Sequence, residues 1–484
     1  MKRSIYYITL FNLLCVALSA KDTSIKLAFN EKGLFKIAQF TDLHWSHTSP
    51  GCAKTTATIQ YVLETEKPDL AVLTGDVVTD APAREAWLTI AKLFEDAKMP
   101  FAVTLGNHDA EAGISRKEIF KLLENLPYFV GEEGPEDIQG SGNYVLPIAG
   151  KQSEAAALIY CFDSNDYPAQ TKYGYYDWVH LNQIEWYRKQ SRQYASANNN
   201  AALPALAFFH IPLLEYNNVV GQSTTIGTKG EGIASADINT GLFASMIEMK
   251  DIMGAFVGHD HDNDYIGITY DIALAFGRVT GTDPYGRLER GARIIELHED
   301  KFKFDTWIRT PEAKEWVYYY PSGLSATDEN EMDYLPALPV KPVKQGVSYT
   351  CYEGAFKHTS QMTNDKIVKQ GVMEEITIKD APAEDHFGYQ FRTWIQIPER
   401  GVYRFYTFSD DGSKLLVDGQ EIVDNDGSHS SQRKDGKVAL EAGFHELKLL
   451  YFEDYMGQVL EVGFSGKDIR ETTLPAHLLF VPED

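Results

Sequence analysis

The amino-acid sequence predicts an α/β domain followed by an all-β sandwich. From about Ile25 to Thr310, short apolar runs alternate with helical stretches, the pattern of a mixed α/β core. A composition break comes next. From Pro311 to Gln345 the chain carries an acidic patch (Asp328, Glu329, Glu331, Asp333) and the prolines Pro336, Pro339 and Pro342. Beyond it, short strand-like runs are separated by Gly-rich turns, as in β-hairpins. At 484 residues the chain exceeds one ordinary core, and two domains are the natural expectation.

Taken in order, residues 1–20 read as a signal peptide: Lys2 and Arg3 precede an apolar run from Ile5 to Ala17 and small residues at Ser19 and Ala20. That run is too short for a membrane span, and Leu14 before Cys15 is too large for a lipoprotein signal. The expected product is exported: periplasmic, cell-surface or secreted. Residues 21–313 form the expected α/β domain, with strands at Phe35–Phe40, Leu70–Leu73, Phe101–Leu105, Ala205–Phe209 and Gly254–Val257. Helices are expected at Thr55–Glu66, Ala83–Ala97, Arg116–Asn125 and Val179–Tyr194. Residues 314–345 read as a solvated linker. Residues 346–484 read as the sandwich, with strands at Thr393–Ile397, Tyr403–Ser409, Lys414–Val417 and His445–Phe452.

A formal charge of -24 argues against nucleic acid as a partner, because phosphate backbones select clustered Lys and Arg. The sparse cysteines (Cys52, Cys161 and Cys351 after signal removal) do not make a disulfide framework, although a Cys52–Cys161 bridge is open.

The informative feature is what stands at the strand ends. Phe40 leads into Thr41-Asp42-Leu43-His44, Leu73 into Thr74-Gly75-Asp76, and Leu105 into Gly106-Asn107-His108-Asp109. Phe209 is followed by His210, and Val257 by Gly258-His259-Asp260-His261. One such residue would be an ordinary cap or turn group. Five strands that each end in a metal-compatible side chain point to one site, because ligands gather outside the carboxyl ends of α/β strands.

Carboxylates mixed with imidazoles suit Fe, Mn or Zn rather than Ca, and no thiolate is needed. Asp42 and His44 can be aimed at one ion by a turn. Asp76 can bridge two ions, and Asn107 supplies a neutral carbonyl. Two ions about 3.5–4 Å apart can activate a bridging hydroxide for in-line attack on phosphorus. His108, beside Asn107, is cast as the general acid for the leaving oxygen. Asp109 either orients His108 or stabilises the turn. Asp260 and Asp262 read as turn groups or as partners of the ligating residues, and Arg278 and Arg293 as ion-pairing groups rather than phosphate contacts. Trp178, Trp186 and Tyr187 read as core.

These blocks (DLH at 42–44, GD at 75–76, GNHD at 106–109, His210, GHDH at 258–261) resemble the calcineurin-like metallophosphoesterases, in the family's order and across nearly the whole first domain. The resemblance implies a four-layer α/β/β/α sandwich. It also implies one metal on Asp42, His44, Asp76 and His261, and a second on Asp76, Asn107, His210 and His259. Tyr173-Gly174-Tyr175, Gln183 to Trp186 and Gly277-Arg278 look most like the branch related to purple acid phosphatases. Such enzymes carry an iron-ligating Tyr shortly after GD; here Val77-Val78-Thr79 stands in that place, which argues against a purple Fe(III) centre.

In the second domain, the run from Tyr403 through Ser409-Asp410-Asp411-Gly412, then Leu415 to Gly419 and Val423 to Gly427, resembles the protective-antigen-like (PA-fourteen) β-sandwich. That resemblance implies a calcium- and glycan-binding site at Asp410 and Asp411, with Asp424, Asn425 and Asp426 as further oxygens. All are also ordinary turn residues.

The expected function is an exported phosphohydrolase, most simply a phosphomonoesterase acting on a phosphorylated small molecule or glycan. A phosphodiesterase or nucleotide hydrolase is the alternative within catalysis. A glycan-binding surface protein with an inert phosphatase-like domain is the alternative outside it.

Overall fold

In the computed structural model, residues 25–340 and 343–483 are described, so the expected signal segment lies outside the described residues. Short apolar runs become strands and the amphipathic stretches between them become helices. In chain order these are β1 (Leu34–Phe40), α1 (Gly51–Glu66), β2 (Leu70–Thr74), α2 (Ala83–Asp96), β3 (Phe101–Thr104), α3 (Arg116–Leu123), β4 (Tyr144–Ile148) and β5 (Ala157–Cys161). Then come α4 (Leu181–Ala197), β6 (Ala205–Phe208), α5 (Leu242–Met249), β7 (Ile252–Val257), β8 (Ile266–Thr269), β9 (Ile272–Phe276), β10 (Ala292–His298), β11 (Phe304–Arg309), β12 (Lys314–Tyr320) and β13 (Leu324–Ser325). Helix α1 starts earlier than expected, directly after Pro50. Helix α4 starts later, because Gln183 reaches back to the His180 backbone and caps the first turn.

Two sheets form. One runs β13-β12-β11-β10-β1-β2-β3 and the other β4-β5-β6-β7-β9-β8. The strands β1, β2 and β3 are parallel, as are β5, β6, β7 and β9. Period-two alternation on the second sheet explains the layering. Ile159, Leu206, Phe208 and Phe256 face one core, shared with Val62, Trp87 and Phe120 from α1, α2 and α3. Tyr160, Ala207, Val257 and Leu274 face the other, shared with Tyr187 of α4 and Met246 of α5. The result is the four-layer α/β/β/α arrangement, with Trp186 and Tyr187 in the core.

The stretch expected as a solvated linker is instead built into both domains. Strand β12 extends the first sheet. Helix α6 (Ala326–Glu331) comes next, and β14 (Tyr334–Leu335) pairs in parallel with a strand of the second domain. Two of its four acids are paired rather than solvated: Lys437 Nζ donates to Asp328 at 2.8 Å and Lys467 Nζ to Glu329 at 3.1 Å, while Glu331 and Asp333 are exposed. Tyr319, Leu324, Val402 and Ala439 form a small apolar seam between the domains.

The second domain continues with β15 (Val343–Gln345), β16 (Val347–Glu353), β17 (Ile367–Met373), β18 (Phe387–Ile397), β19 (Gly401–Asp410), β20 (Ser413–Val417) and β21 (Gln420–Asn425). It ends with β22 (Gln432–Leu440), β23 (Gly443–Glu453), β24 (Val459–Gly466), β25 (Ile469–Thr473) and β26 (Leu479–Pro482). The sheet β14-β22-β19-β24-β25 packs on the sheet containing β15-β26-β18-β23-β20-β21, with Phe391, Phe405, Leu449 and Phe464 between them. Cys52, Cys161 and Cys351 are free thiols, so the Cys52–Cys161 bridge does not form. Among the described residues no helix is long and apolar enough to cross a membrane.

Candidate metal centre

The parallel strands β1, β2 and β3 of one sheet, and β6 and β7 of the other, deliver their carboxyl ends to one edge. The loops beyond them are stitched together: Asp42 N donates to Gly75 O at 3.1 Å, His44 N to Asp76 O at 2.9 Å, and Gly258 N to His210 O at 3.1 Å. Four of the converging residues are held in the left-handed backbone region, Asp42 (φ 52), His44 (φ 43), Asp76 (φ 48) and His259 (φ 79). Each costs about 1–3 kcal/mol, a strain that folding alone does not require and that collects where side chains must converge. Close approach explains two glycines. A Cβ on Gly75 (φ 86) would strike the His210 ring, and one on Gly258 would strike Thr41 and Asp42.

One ligand atom each from Asp42, His44 and His261 lies within 4.8 Å of the others, and the same holds for Asp76, His210 and His259. The two groups adjoin: Asp76 Oδ2 is 3.3 Å from His210 Nε2 and 3.6 Å from His44 Nε2, so it faces both. His261 Nε2 is 3.3 Å from Asp42 Oδ1, and His259 Nδ1 is 3.2 Å from His210 Nε2. His210 Nδ1 donates to Thr74 O at 2.7 Å, which fixes its tautomer and leaves Nε2 for a ligand.

The donor set fits metal ions. His44 Nε2 and Asn107 Oδ1 are buried without a hydrogen-bond partner, an arrangement that is costly unless a cation meets those lone pairs. The charges are arranged to the same end. Against burial, which would raise it, the His261 and His210 imidazoles hold the Asp42 carboxyl at about 2. The Asp76 carboxyl is likewise held below its ordinary value, with His210 as the main cause opposing burial. Burial and the neighbouring His210 push His259 down to about 3. Burial acts on His210 too, but Asp76 overrides it and lifts that imidazole to about 9.

His108 stands at the rim of the cleft. Its ring centroid is 5.8 Å from that of His44, and its backbone N donates to Asp76 Oδ1 at 2.9 Å. The expectation that Asp109 orients it is corrected. Asp109 is fully buried and accepts from Val77 N at 2.8 Å, Val78 N at 3.0 Å and Gly106 N at 2.7 Å, so it serves the turn alternative and never reaches the His108 ring. The partner of His108 is Glu111, whose Oε2 accepts from Nδ1 at 2.7 Å. Sequence reading missed it; the only local signal was a carboxylate three residues downstream in the same turn. Because Asp109 satisfies three buried donors, Asp109→Ala is expected to destabilise the protein by about 3 kcal/mol. Calorimetry would read this as a lowered Tm.

An open cleft of ≈ 520 Å³ leads to the site, walled by Tyr176, Glu231, Asp260 and Tyr285. Glu231 comes from the loop 221–240. Tyr176 packs on His259 at 4.5 Å and Tyr285 on His261 at 4.1 Å. Arg278 and Arg293 stay outside it. Arg278 is buried in ion pairs with Asp264 and Glu315, and Arg293 donates to Phe276 O at 2.7 Å.

In the second domain, Asp410 and Asp411 approach Glu453, which the sequence reading had not singled out. Burial and Asp411 push the Glu453 carboxyl up to about 8, and its Oε1 is buried without a partner. Asp424 and Asp426 do not join them. Asp424 pairs with Lys414 at 3.3 Å, and Asp426 accepts from Thr359 N at 2.8 Å. Asn425 Nδ2 donates to Ser409 Oγ at 3.0 Å, and its Oδ1 is buried without a partner.

Two groups of carboxylate and imidazole donors at the strand ends of an α/β/β/α sandwich define the dinuclear metallophosphoesterase class. Comparison with known proteins gives the same class. Residues 35–263 match the calcineurin-like phosphoesterase model, and residues 343–475 match that of the PA14 domain. A relative from Arabidopsis thaliana, "Probable inactive purple acid phosphatase 29", is 31% identical over 68% of this chain and 95% of its own. Phosphatase DCR2 of Saccharomyces cerevisiae is 28% identical over 62% of this chain and 57% of its own. A dimetal phosphatase from Danio rerio aligns at 12% identity and a TM-score of 0.42, over 57% of this chain and 96% of its own. The chain belongs to the calcineurin-like phosphoesterase family, with a C-terminal PA14 domain.

Proposed function

We propose that the protein is an exported dinuclear-metal phosphohydrolase, most simply a phosphomonoesterase. The observation that carries this reading is the complete donor set, with the lone pairs of His44 Nε2 and Asn107 Oδ1 buried and unpartnered. Asp42, His44 and His261 would hold one ion, Asn107, His210 and His259 the other, and Asp76 would bridge them. Fe, Mn or Zn suits this mixture. When bound, the two ions would supply a hydroxide nucleophile and neutralise the phosphoryl oxygens. The chain's own contribution is to orient the ester at the rim and to give the departing oxygen a proton from His108 Nε2 as the phosphorus–oxygen bond breaks.

The walls favour a substrate that carries no charge beyond its one phosphoryl group. Among the described residues lining the cleft there is no Lys or Arg, while Glu231 and Asp260 face it. A nucleoside di- or triphosphate would bring further negative charge against those carboxylates. A phosphorylated small molecule or glycan with a neutral body would not. Export rests on the sequence of residues 1–20.

The test is turnover of p-nitrophenyl phosphate against bis(p-nitrophenyl) phosphate and ADP, with Mn, Zn or Fe supplied and the bound metal counted. The expected result is two ions per chain and a preference for the monoester, lost on chelation and restored by metal. Preference for the bis-ester or ADP would replace this reading by the diesterase or nucleotide alternative. No turnover with two ions bound would support the inert alternative, which the word inactive in the Arabidopsis relative's name brings into play.

For the second domain we propose a calcium-assisted glycan site at Asp410, Asp411 and Glu453. Calcium is expected to raise the Tm of the wild type and not that of Glu453→Gln. An equal shift in both would reject the site.

A further inference from the structure

We propose that Glu111 is the positioning residue for His108, and that Tyr167 ties this pair to Asn107 in one directed hydrogen-bond chain. The inference rests on the phosphohydrolase reading and extends it to residues that no metal-ligand motif includes.

The chain of contacts is short and its sense is fixed by chemistry. Asn107 Nδ2 donates to Tyr167 Oη at 3.1 Å, Tyr167 Oη–H donates to Glu111 Oε1 at 3.0 Å, and His108 Nδ1–H donates to Glu111 Oε2 at 2.7 Å. Every proton points toward the one group that can only accept, the Glu111 carboxylate. That direction fixes two side chains. The Asn107 amide is locked with its carbonyl oxygen free for a ligand. The His108 ring is locked with Nδ1 occupied and Nε2 left to exchange a proton with substrate.

Packing alone would not hold this ring. The His108 side chain is 38% exposed and that of Glu111 47%, and an isolated pair so placed is worth no more than about 1 kcal/mol. What distinguishes this one is its bracing. Glu111 N donates to His108 O at 3.0 Å, closing a turn. Tyr167 stands 5.9 Å from Tyr175 and 6.4 Å from Tyr176, which itself packs on His259. The carboxylate is therefore anchored at both oxygens, at one by His108 beside the ligand candidate Asn107 and at the other by the tyrosine that holds the Asn107 amide. The bracing secures orientation more than stability, and orientation is what proton transfer at the rim requires.

The experiment compares phenyl phosphate, whose leaving group needs a proton, with p-nitrophenyl phosphate, whose leaving group hardly does. Glu111→Ala is expected to lower kcat on phenyl phosphate by about 10²-fold, with KM unchanged. On p-nitrophenyl phosphate the expected fall is roughly threefold or less. Glu111→Gln keeps an acceptor and is expected to restore part of the loss. Two readouts do not depend on turnover. The bound-metal count should stay at the wild-type value, and the ¹⁵N spectrum of His108 should lose its Nδ1-protonated signature in Glu111→Ala and in no variant of Asp109. Equal falls on both substrates, or an unchanged His108 spectrum, would overturn the inference while leaving the phosphohydrolase standing. A wild type that turns over neither ester overturns both.

Discussion

Asp76→Ala is expected to abolish turnover and to leave the purified protein without its full complement of either ion. Asp76 faces both donor groups closely, 3.3 Å from His210 Nε2 and 3.6 Å from His44 Nε2. On the proposed assignment, its removal would take one ligand from each ion at once. It also leaves His210 buried beside an unpaired cavity, with the partner that lifts its imidazole gone. Ions of this kind supply several kcal/mol of charge stabilisation, so the fall in kcat/KM should be about 10³-fold or more. Counting metal on the variant checks the cause. An inactive Asp76→Ala that still holds two ions would show that Asp76 does not bridge.

His108→Ala separates the acid from the metals. The variant is expected to keep both ions, because His108 belongs to neither donor group. It is expected to lose about 10² to 10⁴-fold in kcat on alkyl and phenyl esters. The loss should shrink as the leaving group becomes a better anion. Because the ring is partly exposed, stability should move by no more than about 0.5 kcal/mol. Loss of metal from this variant would place His108 inside the coordination shell and revise its role.

Much of the site was legible because its chemistry sits at the ends of apolar runs. A strand such as Phe101–Thr104 announces itself by composition, and Gly106-Asn107-His108 just beyond it lie in the one place where a parallel sheet collects ligands. What was not legible depends on partners far along the chain. Tyr167 meets Asn107 and Glu111 across 60 and 56 residues, and nothing local marks it. Asp109 read as a possible helper of His108 because the two are adjacent, yet adjacency turns their side chains apart and sends Asp109 into the turn. The connector failed for a related reason. Its acids and prolines suggested solvent, but Asp328 and Glu329 are answered by Lys437 and Lys467, more than a hundred residues later. In the second domain, proximity in sequence favoured Asp424 and Asp426, whereas the sheet brings Glu453 to Asp410 and Asp411 from a different strand.

The stitched connector has a mechanical consequence. With β12 in one sheet, β14 in the other domain and the Tyr319–Leu324–Val402–Ala439 seam between them, the sandwich is a bracket, not a leash. A flexible leash would let the cleft search a sphere around whatever the sandwich grips, and its benefit would be local concentration. A bracket presents the cleft at one bearing and one standoff. On the proposed function, phosphoryl groups at that distance would be served, and those nearer or farther on the same surface would be passed over.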